Sequence, residues 1–207
     1  MVSGSGYTTV KIYVEGGGER NPLKRECRQA FSSFFEKCGF RGRMPRIIAC
    51  GSRNEAYDDF CTSLKHASRT GELAFLLVDS ENAVQPIFQN MPWEYLSERD
   101  HWVRPNGATD EQVHLMIQCM ESWFLADPST LEHFFGQKFR MSANTNIEII
   151  SKDDVFSILH TISRHSQKGS YGKGSHSFKI LKKIDAMKVV SASQSAQRLI
   201  RELDKVL

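Results

Sequence analysis

Two alternating patterns of apolar and polar positions cover the first two thirds of the chain. Short, nearly continuous apolar runs, rich in β-branched and aromatic residues, predict buried strands. These runs are residues 9–14, 46–50, 73–78 and 113–119. Between them, apolar residues recur every three to four positions, as in amphipathic helices. The sequence therefore predicts an α/β fold with a mostly parallel sheet that is flanked by helices.

The predicted helices have recognisable end signals. Asn21 suits an N-cap, Pro22 a first helical turn and Gly39 a helix end. A second helix is predicted from Arg53 onward, residues 82–110 are predicted to be a long loop, and Pro128 precedes a short helix over residues 129–135. Further helices are predicted over residues 153–164, 178–187 and 193–207. We therefore expect an α/β core over residues 1–135 and a helical extension, packed on the core, over residues 136–207.

Acidic residues follow three of the four predicted strands. Glu15 ends the first strand, Asp79 and Glu81 end the third, and Glu121 follows the fourth. Because ligands of open parallel sheets bind beyond the carboxyl ends of the strands, these acids are candidate site residues. Such a cluster of like charges is unfavourable unless a cation or a proton neutralises it, and hard oxygen ligands favour Mg²⁺ or Mn²⁺ over zinc.

Composition limits the possible partners and the cellular location. The 207 residues include 27 Lys and Arg against 24 Asp and Glu, so the formal net charge is +3 and binding to a polyanion has to rest on a local patch. No stretch approaches the roughly 18 apolar residues of a membrane span. The five cysteines form no CxxC pair. These features predict a cytoplasmic protein that does not bind membranes.

The motifs at the strand ends resemble those of the Toprim fold, the nuclease and primase core of topoisomerases, primases and overcoming-lysogenization-defect nucleases. That fold has a Glu after its first strand and an Asp-x-Asp after its third. The matching stretches here are Ile-Tyr-Val-Glu15-Gly-Gly-Gly-Glu19 and Leu-Val-Asp79-Ser-Glu81. With Met-Glu121-Ser-Trp-Phe-Leu-Ala-Asp127-Pro and a C-terminal Lys- and His-containing segment, the chain is similar to a Toprim-related domain-of-unknown-function family. That family is typically encoded beside AAA- or ABC-type ATPases in bacterial defence islands.

The resemblance implies a metal-dependent nuclease that cuts DNA or RNA, as the effector of an ATPase-associated anti-phage system. It implies that Asp79 and Glu81 bind the metal, that Glu15 binds metal or transfers a proton, and that Glu121 is a further ligand. Lys173 is a candidate for assisting proton movement, and His176, in a recurring element of the family, is a candidate for binding the substrate. The second acid of the third-strand motif is Glu here, where the Toprim pattern has Asp.

The sequence does not decide the roles of several further candidate residues. Arg53, at a helix start, is either a clamp on a substrate phosphate or a surface salt bridge. Gly16 and Gly17 either form a turn or let a phosphate backbone approach closely. Trp93 and Trp102, in the long loop, are candidates for stacking on a base or a partner protein.

The sequence is compatible with three functions. The first is the nuclease. The second is a catalytically degenerate Toprim subunit that binds the ATPase or nucleic acid without cleavage, and the third is a small-molecule phosphohydrolase. The sequence leaves the oligomeric state open and allows a homo-oligomer.

Overall fold

Four parallel strands form the centre of the fold. In the computed structural model, which describes residues 9–138 and 146–207, they lie in the order β2-β1-β3-β4. Their bounds are β1 Thr9–Gly17, β2 Arg46–Gly51, β3 Glu72–Asp79 and β4 Val113–Met116. All three pairings are parallel, and Ile12 of β1 lies between Ile47 of β2 and Phe75 of β3. The α/β fold with a parallel sheet flanked by helices is confirmed, and it is consistent with a Toprim-like fold.

Helices cover both faces of this sheet. Among the described residues they are α1 Asn21–Phe35, α2 Arg53–Thr70, α3 Pro92–Asp100, α4 Pro128–Phe135, α5 Lys152–Ser163, α6 Lys173–Leu181, α7 Ala186–Ala192 and α8 Gln194–Asp204. A π-helical turn, Glu36–Phe40, follows α1, and a 3-10 segment, Met120–Ala126, precedes α4. None of the helices in the described part of the chain is long and apolar enough to cross a membrane.

Alternate residues of the central strands enter two separate hydrophobic clusters. Ile12 and Val14 of β1 pack with α1 and with the helices after β4, whereas Tyr13 packs with α2 and α3 on the other face. Because successive side chains of a strand point to opposite faces, a strand covered on both faces is apolar at every position. This explains the continuous apolar runs in the sequence.

The C-terminal helices share the larger of these clusters with the sheet. Leu159 of α5, Leu181 of α6 and Leu203 of α8 are fully buried with Phe31 of α1. The indole of Trp123 stacks on Phe34 with ring centroids 4.7 Å apart. The predicted division at residues 135 and 136 stays a prediction, but residues on both sides of it contribute to one hydrophobic cluster.

Several predicted element boundaries are wrong. β4 ends at Met116 rather than at residue 119, and the predicted helix over residues 178–187 is two helices, α6 and α7. Asp185 separates them, because its carboxylate accepts a hydrogen bond from the N–H of Met187 (2.9 Å) and caps α7. Arg20, not Asn21, occupies the N-cap position of α1. The start of α2 at Arg53 is confirmed.

The predicted loop over residues 82–110 contains α3, and its two tryptophans are not exposed. Trp93 and Trp102 have only 3% and 7% of their surface accessible. Trp102 stacks on Tyr57 of α2 with centroids 4.4 Å apart, and Trp93 Nε1 donates a hydrogen bond to the carbonyl of Thr109 (3.1 Å). The prediction that they contact a base or a partner is therefore wrong, because both are buried and pack against α2.

Candidate metal centre

Three carboxylates meet at the carboxyl edge of the sheet. β1 and β3 are neighbours, so Glu15 at the end of β1 and Asp79 at the end of β3 come together, and Glu81 follows two residues later. Each offers a carboxylate oxygen, and these oxygens all lie within 4.8 Å of one another. Three of the four acids that the sequence places after strands therefore lie together, as expected for residues at the carboxyl ends of neighbouring parallel strands.

Glu15 is oriented by two hydrogen bonds to the same oxygen. Its Oε2 accepts from the backbone N–H of Asp79 (3.2 Å) and from Nη1 of Arg53 (3.3 Å). The β1–β2 register shifts at this point, so that Glu15, Gly16 and Gly17 all pair with Gly51. This irregular end of β1 carries Glu15 past the regular ladder toward β3.

Asp79 is the most deeply buried member of the group, with 3% of its surface exposed. Its Oδ1 accepts a hydrogen bond from the N–H of Met120 (2.8 Å), and its Oδ2 lies 3.9 Å from Nζ of Lys173. Burial, followed by the charges of Glu15 and Glu121, raises the pKa of the Asp79 carboxyl well above its usual value. An added cation would offset both effects, because it favours the charged form of the carboxyl.

Glu81 adopts an unusual backbone conformation. Its φ is +68°, in the left-handed region that residues other than glycine seldom adopt. The backbone N–H donates to the carbonyl of Gln118 (2.7 Å), and the carboxylate forms an ion pair with Lys152. Burial acts to raise the pKa of Glu81, but the hydrogen bond and charge of Lys152 outweigh burial, so this pKa is lowered. Glu81 is therefore held as a carboxylate beside Asp79.

Glu121 is fully buried in the 3-10 segment before α4. Its Oε1 accepts a hydrogen bond from the hydroxyl of Tyr171 (3.0 Å), while Oε2 has no hydrogen-bond partner in the described part of the chain. It is not one of the three acids whose oxygens lie within 4.8 Å of one another. Glu121 nevertheless acts on the site electrostatically, because its charge raises the pKa values of both Asp79 and Lys173.

Lys173, the first residue of α6, lies at the open side of the cluster. Its side chain is 58% exposed. Burial acts to lower the pKa of the ammonium, but the carboxylates of Glu121 and Asp79 outweigh burial and raise that pKa. Lys173 is thus a protonated cation at neutral pH, suited to holding a phosphate oxygen and poorly suited to accepting a proton.

Arg53 is already engaged by protein groups. Its Nε and Nη2 donate to the two carboxylate oxygens of Asp100 (3.0 and 2.7 Å), and Nη1 donates to Glu15 and to the carbonyl of Asp79. The guanidinium carbon also lies 5.0 Å from the ring centroid of Trp102. Of its two predicted roles, the salt bridge is the one present in this structure, and it is largely buried rather than at the surface.

A cavity of about 270 Å³ opens beside the cluster. It is lined by Glu15, Gly16, Gly17, Gly18, Leu23, Gly51, Asp79, Met120, Lys173, Gly174, Ser177 and Phe178. A larger cavity of about 570 Å³ lies near Leu73 and Val206, and none of the three clustered acids lines it. Glu15, Asp79 and Lys173 therefore border the smaller of these two cavities, whereas Glu81 is not part of its lining.

A protein-family model described as a domain of unknown function, DUF4276, matches residues 14–204. This chain belongs to the DUF4276 family. The matched region contains every residue of the candidate metal centre. Searches of curated proteins and of solved structures found no significant match to this DUF4276 member.

Gly16 and Gly17, which line the cavity of this DUF4276 member, differ in the space available for a side chain. Gly16 and Gly17 both have positive φ, +136° and +88°. A Cβ on Gly17 would lie 2.8 Å from Cα of Lys24, whereas a Cβ on Gly16 would meet Cys27 Sγ at an ordinary 3.5 Å. Gly17 is therefore required for the close packing of β1 against α1.

We expect Gly17→Ala to lower the free energy of unfolding by about 2–4 kcal/mol. The added methyl group would clash with the backbone of Lys24, and a positive φ is strained for alanine. Urea unfolding followed by circular dichroism measures this. Gly136→Ala is the matched control, since Gly136 also has positive φ (+68°) but open space around its Cβ. It should cost only about 1 kcal/mol. Equal losses in the two variants would contradict a steric role for Gly17.

His176 does not border the cavity, although the sequence analysis placed it in substrate binding. Its ring packs against Phe134, Phe135 and Tyr171, and its Nδ1 accepts a hydrogen bond from the N–H of Gly172 (3.0 Å). Burial lowers its pKa. In this structure His176 shapes the start of α6, the helix that begins at Lys173.

Three residues that the sequence analysis did not select complete the site. Asp100 holds Arg53, Lys152 pairs with Glu81, and the hydroxyl of Tyr171 bonds Glu121. Asp100 was hidden by the prediction of a loop where α3 lies. No local sequence pattern indicates a role for Lys152 or Tyr171 in the site, because their partners are distant in the sequence.

The donor set of this site fits a hard divalent cation. All candidate ligand atoms are carboxylate oxygens, which Mg²⁺ and Mn²⁺ prefer. Oε2 of the fully buried Glu121 is a further carboxyl oxygen that the described protein groups leave without a hydrogen bond. Glu15, Asp79 and Glu81 are the residues that would hold the ion.

Proposed function

We propose that this protein is a Mg²⁺- or Mn²⁺-dependent nuclease that hydrolyses phosphodiester bonds in DNA or RNA. The observation that carries the proposal is the convergence of Glu15, Asp79 and Glu81 on one point at the carboxyl edge of the sheet, beside a cavity. The Toprim-like motifs of the sequence support the same chemistry. They also support an AAA- or ABC-type ATPase as the partner, in an anti-phage defence role.

The bound ion would supply Lewis-acid polarisation of the phosphodiester and neutralise charge that develops on its oxygens. The residues of the chain have separate tasks. Asp79 and Glu81 would hold the ion, and Glu15, oriented by Arg53 and by the N–H of Asp79, would bind the ion with them or accept a proton from the attacking water. The ammonium of Lys173 would bind a phosphate oxygen at the open side of the site.

A specific observation also favours the non-cleaving alternative. Each clustered acid is already matched by a cation of the chain: Glu15 by Arg53, Asp79 by Lys173 and Glu81 by Lys152. These pairs lower the need for a metal ion. The same three ion pairs are expected in a subunit that binds nucleic acid or the ATPase without cutting.

A cleavage assay decides between the two functions. Plasmid DNA and total tRNA are incubated with Mg²⁺ and then Mn²⁺, with the wild type and with Asp79→Ala/Glu81→Ala, alone and with a neighbouring ATPase where one is encoded. We expect metal-dependent cleavage by the wild type and none by the double variant. Equal metal-dependent cleavage by both would mean that the assignment of Asp79 and Glu81 as the catalytic metal ligands is wrong. Absence of cleavage together with salt-sensitive binding would favour the binding subunit.

A further inference from the structure

The ion pair between Glu81 and Lys152 places a cation on one of the proposed metal ligands. Nζ of Lys152 bonds Oε2 of Glu81, and the two side chains are only 26% and 27% exposed. The Glu81 carboxylate that would bind a divalent ion is therefore already paired with a cation of the protein. Any ion that binds this carboxylate has to compete with the ammonium.

The backbone fixes this pair through one shared residue. The carbonyl of Gln118 accepts a hydrogen bond from the N–H of Glu81 (2.7 Å), and its side-chain Oε1 accepts one from the N–H of Lys152 (3.1 Å). Gln118 itself is buried, with 6% of its surface exposed. The backbones of both partners are thus bonded to the same residue, so their proximity does not depend on two long side chains meeting by chance.

Helix energetics do not explain a lysine at this position. Lys152 is the first residue of α5, where the positive end of the helix dipole disfavours a cation. The rest of the helix start follows the usual rules: Ser151 Oγ accepts from the N–H of Asp154 (3.1 Å), and Asp153 lies in the first turn. The unfavourable position of Lys152 is compensated by its contact with Glu81.

We infer that Lys152 is a resident counter-cation of Glu81 that a divalent ion must displace, so that it sets the metal affinity of the site. This inference rests on the proposed metal site and adds its regulation. Lys152 weakens the binding of free metal ions, because the ion and the ammonium compete for one carboxylate. Any interaction that draws Lys152 away from Glu81 would strengthen metal binding.

Titration calorimetry with Mn²⁺ as the only ligand tests this inference. We expect Lys152→Met to bind Mn²⁺ about tenfold more tightly than the wild type, because a positive charge beside a ligand oxygen is removed. Lys152→Arg keeps the charge and should retain wild-type affinity. Lys205→Met is the matched control, since Lys205 pairs with Glu202 on α8. Its affinity should also be that of the wild type.

An unchanged or weaker affinity in Lys152→Met would overturn the inference and show that Lys152 holds Glu81 in a ligating position instead. Circular dichroism melts establish that each variant is folded, and Lys152→Gln replaces the methionine variant if that one is not. The two proposals fail differently. Equal Mn²⁺ binding by wild type and Lys152→Met removes only this inference, whereas no binding by the wild type and by every Lys152 variant removes the metal site as well.

Discussion

Asp79→Asn is expected to reduce metal-dependent cleavage by about 10²–10³-fold, the range seen when a group that stabilises transition-state charge is removed. The amide keeps an oxygen for the N–H of Met120, so the fold is retained. It lacks the negative charge that would hold the divalent ion. Cleavage rates at saturating Mn²⁺, measured beside the wild type, check the prediction.

The same substitution is expected to raise the free energy of unfolding at neutral pH. Burial and the charges of Glu15 and Glu121 raise the pKa of Asp79 in the native state, so the folded protein binds more protons than the unfolded chain above the ordinary pKa of about 4. Wild-type stability therefore falls as pH rises from about 4 through the raised native pKa. Asn carries no charge and avoids this loss.

Unfolding experiments across pH, with metal removed by chelator, measure this difference. The stability gain of Asp79→Asn should be present at pH 7 and vanish below about pH 4, where the wild-type carboxyl is protonated in both states. Asp204→Asn is the control, because Asp204 pairs with Arg43 at the surface and lies outside the site. If Asp79→Asn proved less stable than the wild type at pH 7, the electrostatic description of the site would be wrong.

Asp127→Ala is expected to lower the free energy of unfolding by about 3–5 kcal/mol, as for a buried charge network that loses one partner. Asp127 is 2% exposed. Its carboxylate accepts hydrogen bonds from Ser129 Oγ (2.7 Å), Thr130 Oγ1 (2.6 Å), the N–H of Asp185 (3.0 Å) and Nζ of Lys188 (2.6 Å). These bonds join the start of α4 to the start of α7.

The pH dependence of this effect has the opposite sign to that of Asp79. Burial acts to raise the pKa of Asp127, but the bonds from Lys188 and Thr130 outweigh burial and hold it below the usual value. Its stabilising effect is complete above about pH 4 and is lost as pH falls through the lowered native pKa. Urea unfolding at pH 7 and at acid pH measures both ends of this range.

Asp58→Ala is the matched control for Asp127→Ala, because Asp58 is an exposed aspartate on α2. Its replacement should change the free energy of unfolding by no more than about 0.5 kcal/mol. A loss of less than about 1 kcal/mol in Asp127→Ala would mean that the network does not join α4 to α7. A large loss in both variants would point to a general effect of removing acidic charge.

The parts of the site that the sequence predicted all follow from local rules. The apolar runs gave the strands, and the positions of Glu15, Asp79 and Glu81 directly after them placed three acids at one sheet edge. The errors lie where the local pattern is ambiguous. α3 is short and surrounded by polar residues, so its buried Trp93 and the neighbouring Trp102 were assigned to an exposed loop.

The sequence by itself determined the α/β class and the acidic strand ends, because strand and helix periodicity and the direction of parallel strands are readable within short windows. Only the tertiary structure decided which cation meets which acid. Lys152 lies 71 residues from Glu81, and Arg53 lies 38 residues from Glu15. The hydrogen bond to the buried Glu121 likewise comes from Tyr171, 50 residues away. Such pairs depend on how helices pack against the sheet, and side-chain charge alone does not specify that packing.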